Sequence, residues 1–219
     1  VTIRVLVADD QELLRSAVVM MLQTQPDIEV VGQAANGLDA VALSAQTTPD
    51  VVIMDVRMPV LDGVEATRRI VANGPRPKVL MLTTFDLDEH AFGALQAGAS
   101  GFLLKDASGD TIVGAVRSVD AGDAVISPST TRRLLDHVAG RLAPSARHAG
   151  AIQSLTGRER DVFRELASGA SNAEIAERLF LSETTVKTHV GHVLRKLEVR
   201  DRVQAVVVAY ESGMVRPSR

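Results

Sequence analysis

Three acidic residues, one hydroxyl and one ammonium stand where this sequence could do chemistry. Asp9 and Asp10 follow an apolar run, Ile3–Ala8. Asp55 ends a run that starts at Val51, Thr83 follows Lys78–Leu82, and Lys105 follows Gly101–Leu104. If these runs are parallel strands, all five residues reach one edge, because ligands of open α/β sheets bind beyond the carboxyl ends of the strands. Clustered carboxylates repel one another unless a proton or a cation intervenes. The chain has no Cys and no His beside these positions, so the cation to expect is a hard one held by oxygens. Mg²⁺ fits, since it keeps several waters and needs few carboxylates plus a phosphate oxygen. Lys105 suits a phosphate as a point charge, and Thr83 can donate a hydrogen bond to it. One carboxylate can then attack phosphorus, with Mg²⁺ and Lys105 offsetting the charge that develops. Acids that merely cap helices would explain Asp10 alone, but not a set spread over four strand ends.

Those residues need a scaffold, and the first half of the chain supplies one. The apolar runs Ile3–Ala8, Glu29–Ala34, Val51–Met54, Lys78–Leu82 and Gly101–Leu104 have the length and composition of buried parallel strands. Between the first two, Leu13, Leu14, Ala17, Val18, Met21 and Leu22 mark one face of a helix. Residues 37–47, 62–72, 88–97 and 109–121 are also helical in pattern. Strands alternating with helices predict an α/β sheet with right-handed crossovers.

Composition bounds the rest. The chain has 219 residues, 46% hydrophobic and 23% charged, enough for one large domain or two small ones. The lack of Cys excludes disulfides, Cys-ligated zinc, iron–sulfur clusters and thiol catalysis. Charges interrupt every apolar stretch before the ~18 residues of a membrane span. The first residues enter a strand with no signal-peptide pattern, so the expectation is a cytoplasmic protein without membrane contact. The net charge of −3 hides a split: residues 1–125 carry −8 and residues 126–219 carry +5. Such asymmetry suggests two domains with different partners. Between them, Pro128 can open a helix over Thr130–Leu142, and Ala143–Gly150 reads as a linker.

Helix-start signals replace strands after residue 151. Thr156 with Glu159 and Ser171 with Glu174 are capping boxes, Ser182 can cap a third helix, and Asp201 with Gln204 can begin a fourth. Over 183–197, Val186, Val190, Val193, Leu194 and Leu197 form a buried stripe. Thr184, Thr188 and Arg195 lie opposite, with Gly191 and His192 beside them and Lys187 at the flank. That face is free of acids and suits a major groove. The helix Asn172–Leu179 joins it through Phe180-Leu181-Ser182, as in helix-turn-helix geometry. A plain helical pair with a solvated face fits the residues equally well. His189 and His192 stand at i, i+3 without a carboxylate partner in the sequence, which argues against a metal. In the last helix Val203, Val206, Val207 and Tyr210 would join the core, while Ala205 and Val208 would point away and could pair two copies on a palindromic site.

Asp9-Asp10, Asp55-Val-Arg-Met-Pro59 with Asp62-Gly63, Thr83 and Gly101-Phe-Leu-Leu-Lys105 together resemble the receiver domain of two-component response regulators. The resemblance implies a flavodoxin-like, doubly wound (βα)₅ domain over residues 1–122. It also implies phosphoryl acceptance at Asp55 and Mg²⁺ held by Asp10, Asp55 and the backbone carbonyl of Arg57, with Asp9 acting through water. Lys105 would pair with the phosphoryl group, and Thr83 and Phe102 would form a switch. Leu155-Thr-Gly-Arg-Glu-Arg160, Gly169–Ala176, Leu181–Val190 and Lys196–Arg202 resemble the LuxR-type DNA-binding domain, covering 152–216. It implies a second, all-α domain of four helices with a helix-turn-helix, behind a helical linker at 123–151.

Joined in one chain, the two resemble the NarL/FixJ class. The class implies a DNA-binding transcription regulator, not an enzyme. Its implied partners are a sensor histidine kinase, double-stranded DNA, RNA polymerase and a second copy of the chain. Thr185, Lys187, Thr188 and Gly191 would face the groove, with Thr184, His192 and Arg195 beside them; relatives often carry a larger polar residue at the position of Gly191. Three other readings stay open: a regulator that binds DNA without phosphorylation, an aspartyl-nucleophile phosphatase and a signalling scaffold that binds no nucleic acid. The second needs an acid/base two residues after Asp55, where this chain has Arg57.

Overall fold

The computed structural model describes residues 2–83, 90–122 and 148–214. The chain divides into two compact units, residues 1–125 and 126–219. The expected linker helix over Thr130–Leu142 lies outside the described residues. No helix among them is long and apolar enough to cross a membrane.

In the first unit, strands β1 (Ile3–Ala8), β2 (Ile28–Ala34), β3 (Val51–Asp55), β4 (Lys78–Thr83) and β5 (Gly101–Leu104) alternate with helices. The helices are α1 (Glu12–Gln23), α2 (Gly37–Thr47), α3 (Gly63–Ala72), α4 (His90–Gln96) and α5 (Gly109–Ala121). The sheet order is β2-β1-β3-β4-β5 and every pairing is parallel. This is the flavodoxin-like order, whose switch point falls between β1 and β3. All five residues of β3 are buried, as befits a central strand covered on both faces, whereas the edge strand β2 exposes Glu29 and Gln33. One face of the sheet packs Val5, Val7, Ile53 and Leu80 against Val18 and Leu22 of α1 and Val116 and Val119 of α5.

Helix α1 keeps most of its expected face: Val18 and Leu22 are buried, and Leu14 and Met21 pack against the core. Leu13, at 87% exposure, and Ala17 lie at the surface instead, and Val19 is buried. At the turn that starts the helix the Gln11 N–H donates to Asp9 Oδ1 at 2.9 Å.

The loop after β3 is braced tightly. Val56 N donates to Leu82 O, Gly63 N to Val56 O and Leu61 N to Pro59 O at 2.7 Å. The last bond spans Val60, whose φ of 68° is rare for a β-branched residue. Asp62 caps α3 by accepting from Glu65 N. A Cβ at Gly63 would lie 1.9 Å from the Asp55 carbonyl oxygen, so the Asp62-Gly63 pair both starts α3 and permits its close approach to the acidic edge.

The second unit holds α6 (Ala149–Gln153), α7 (Gly157–Ala167), α8 (Asn172–Leu179), α9 (Glu183–Leu197) and α10 (Arg202–Glu211). The four expected helices are α7 to α10, and α6 precedes them, taking up the end of the stretch read as linker. Both capping boxes form, at Thr156/Glu159 and Ser171/Glu174, and Ser182 and Asp201 accept from Thr185 N and Gln204 N.

The expected outward face of α10 is corrected. Ala205 is 0% and Val208 3% exposed, as deeply buried as Val203 and Val207. A helix apolar all round is buried all round, so Ala205 and Val208 offer no free surface for pairing two copies.

Gly63→Ala is expected to lose about 2 kcal/mol or more, the cost of forcing a methyl into packed space. Thermal denaturation of the first unit's signal should show a midpoint lowered by several degrees.

Candidate functional site: an acidic sheet edge and a polar helix face

The parallel strands deliver Asp9, Asp10, Asp55, Thr83 and Lys105 to one edge of the first unit. Asp9, Asp10 and Asp55 each offer a carboxylate oxygen within 4.8 Å of the others, and among the described residues they form the acidic group suited to a metal ion. Asp9 and Asp55 are buried, at 1% and 4% exposure. Asp10 is exposed. Lys105 Nζ lies 2.9 Å from Asp9 Oδ2 and 2.9 Å from Asp55 Oδ2. The ammonium expected to meet a phosphate therefore bridges two carboxylates here, and Asp9 is a direct partner in that bridge.

Burial, aided by the charge of Asp9, pushes the Asp55 carboxyl above the ordinary carboxylate range against the pull of Lys105. Burial also draws the Lys105 ammonium down, but its bonds to Asp55 and Asp9 outweigh this and hold it above an ordinary lysine.

Thr83 ends β4 in a buried position, and its carbonyl accepts the Lys105 N–H at 2.8 Å. Thr83 and Lys105 are thus neighbours through the backbone. Phe102 pairs in register with Met81 and is 5% exposed. Arg57 is exposed two residues beyond Asp55. Sequence pattern does not single out Arg15, whose Nη1 donates to the Asp9 carbonyl at 2.6 Å. A lone basic residue within a helical pattern carries no such signal.

In the second unit, α9 presents Thr184, Lys187, Thr188, Gly191, His192 and Arg195 at the surface, above buried Val186, Val193 and Leu197. Thr185 is half-buried, and its hydroxyl bonds the Ser182 hydroxyl at 2.8 Å, so it serves the cap as well as the face. A Cβ at Gly191 would meet nothing within 4 Å; packing does not require the glycine there. His192 Nδ1 lies 3.7 Å from Glu159 Oε1, a carboxylate neighbour that sequence spacing did not show.

Glu159, buried at the start of α7, also binds Lys196 at 2.6 Å and the Thr156 N–H at 2.8 Å. These bonds, that to Lys196 foremost, hold its carboxyl down at about 2. Lys196 reaches Ser154 O as well, so this lysine pins α9 to the rest of the unit.

Residues 5–117 match the family model of the response regulator receiver domain, and residues 153–209 that of bacterial regulatory proteins of the luxR family. The chain is 41% identical over 215 residues to the uncharacterized transcriptional regulatory protein YxjL of Bacillus subtilis (strain 168), spanning 98% of each. It is 39% identical over 213 residues to the transcriptional regulatory protein LiaR of the same organism, spanning 97% of this chain and 99% of LiaR. Among solved structures it is similar to the response regulator ChrA of a heme-sensing two-component system. That match has 34% identity and a TM-score of 0.53, over 98% of this chain and 99% of the other.

The raised Asp55 carboxyl sets a pH-dependent outcome. Its ionised form is penalised in the folded state; the penalty is absent below the ordinary value of 3.8 and complete above the raised folded value. Asp55→Asn should therefore raise the thermal midpoint at pH 7 without added metal, and the gain should vanish as the pH falls below 3.8. Calorimetry across that range checks it.

Proposed function

Because the chain belongs to the two-component response regulators that join a receiver to a LuxR-type DNA-binding domain, we propose that phosphoryl transfer to Asp55 controls its binding to DNA. The observation that carries this reading is Lys105 shared between buried Asp9 and Asp55, with Asp10 within reach. Among the described residues the three carboxylates have one bridging ammonium between them. The donor set is all oxygen and electron-rich, which fits a hard divalent cation. Asp10, Asp55 and the Arg57 carbonyl would hold Mg²⁺, with Asp9 acting through water. When bound, Mg²⁺ supplies positive charge against the carboxylates and the oxygens of the incoming phosphoryl group.

A sensor histidine kinase presents a phosphohistidine to this edge. An Asp55 Oδ attacks phosphorus as the P–N bond breaks, and the imidazole leaves with the bond pair. Lys105 then pairs with the phosphoryl oxygens instead of the Asp55 carboxylate, and Thr83 donates its hydroxyl to one of them. Lys105 and Thr83 share a backbone bond, so their rearrangement moves β4 and β5 together and reaches Phe102.

The receiver occupies residues 1–122 and the DNA-binding domain 152–216, and the segment 123–151 transmits the change between them. On DNA, Thr185, Lys187, Thr188 and Gly191 face the groove with Thr184 and His192 beside them, while Arg195 and the helix starts approach phosphates. Two copies act on a palindromic site in the cytoplasm, with RNA polymerase as a further partner. This chain carries no turnover chemistry of its own in that scheme.

With a small acyl-phosphate donor and Mg²⁺, the wild type should form an acid-stable, base-labile phosphoprotein. Asp55→Asn should abolish it, as should chelation of the metal. Persistent labelling of the variant would overturn the assignment. In gel-shift titrations, Lys187→Ala should weaken DNA binding, and Arg195→Ala should flatten the log K against log salt slope by about one phosphate contact.

A further inference from the structure

Asp10 is the exposed one of the three carboxylates, and it sits on the turn that leads from β1 into α1. Three tethers of that turn act on Asp9. Its N–H donates to Ala34 O at 3.1 Å, its Oδ1 accepts from Gln11 N, and its Oδ2 meets Lys105. The fourth tether is different. Arg15, one turn into α1, donates from Nη1 to the Asp9 carbonyl at 2.6 Å. That carbonyl belongs to the planar peptide that also contains the Asp10 nitrogen. Holding it fixes the plane from which the Asp10 Cα and side chain depart. Arg15 is half-buried, and among the described residues its guanidinium has no carboxylate partner. Its short, charge-assisted bond goes to a carbonyl, a use of arginine that orders backbone and does not neutralise an acid.

We infer that Arg15 is a positioning residue for cation binding, aiming Asp10 at the shared carboxylate edge through the Asp9–Asp10 peptide. It touches neither the cation nor the phosphoryl group, and the inference rests on the Mg²⁺ and phosphoryl reading given above. Residues that orient metal ligands in this indirect way are typically worth 10–100-fold in metal affinity. The effect belongs on affinity and not on the chemical step, because Asp55, Lys105 and Thr83 keep their own supports.

The test uses the full chain. Calorimetric titration with MgCl₂ alone is run on wild type, Arg15→Gln and Arg15→Lys, together with labelling by a small acyl phosphate over a range of Mg²⁺. Arg15→Gln should bind Mg²⁺ at least about tenfold more weakly. Its labelling rate at saturating Mg²⁺ should match wild type, so only the half-saturating concentration moves. Arg15→Lys keeps the charge but loses the planar fork, and should fall between the two.

Wild-type affinity in Arg15→Gln overturns the inference, as does a labelling rate lowered at every Mg²⁺ concentration with affinity unchanged. If Arg15→Gln does not fold, Arg15→Lys decides alone, with unchanged affinity the overturning result. A wild type that binds no Mg²⁺ overturns the underlying reading and is distinguishable from both.

Discussion

Two carboxylates buried to 1% and 4% exposure face one another across the first unit, and one ammonium 2.9 Å from each keeps them there. Without Lys105, Asp9 and Asp55 would have to protonate, separate or recruit a cation, since like charges in a low dielectric cannot both stay ionised unpaired. Even with it, Asp55 remains above the ordinary carboxylate range. The site is thus under-neutralised, a deficit of positive charge that a hard divalent cation can offset. The order of the sheet follows from the same requirement. Asp9, Asp55 and Lys105 come from β1, β3 and β5, and only parallel strands with their carboxyl ends on one side bring all three together.

The walls of the site are made rigid by backbone bonds. Val56 is tied to Leu82, Gly63 to Val56 and Lys105 to Thr83, so the loop after Asp55 and the ends of β4 and β5 form one bonded frame. Gly63 is the point where α3 meets the Asp55 carbonyl, and no side chain fits between them. A change in charge at Asp55 therefore acts on a frame with few soft positions. Thr83 lies within that frame and Phe102, paired with Met81, is two register steps inside it.

The helical unit is governed by caps. Each of α7 to α10 starts with a hydroxyl or carboxylate accepting from the third residue on. Glu159 does more than cap: it gathers Lys196 and lies beside His192, fastening α9 to the start of α7. Glu159 is thereby turned inward and paired, away from the polar face of α9. The weak net positive charge of this unit is used unevenly, with Lys196 committed internally and Lys187 and Arg195 left at the surface.

The elements themselves were legible in the sequence. The runs Ile3–Ala8 and Gly101–Leu104, the helix 109–121 and the helices starting after Ser171 and Ser182 are visible as periodicity and caps, because both are local properties of a few neighbouring residues. The five chemical residues were legible for the same reason, each standing at the end of its own run. What the sequence could not contain was the third dimension of contact. The exposure of Leu13 and burial of Val19 in α1, the burial of Ala205 and Val208, the partnership of Glu159 with Lys196, and the grip of Arg15 on the Asp9 carbonyl depend on residues whose types alone predict nothing about one another. Local pattern determines which elements form; tertiary packing decides which of their faces and charges are consumed inside, since burial and pairing depend on neighbours brought in from elsewhere along the chain.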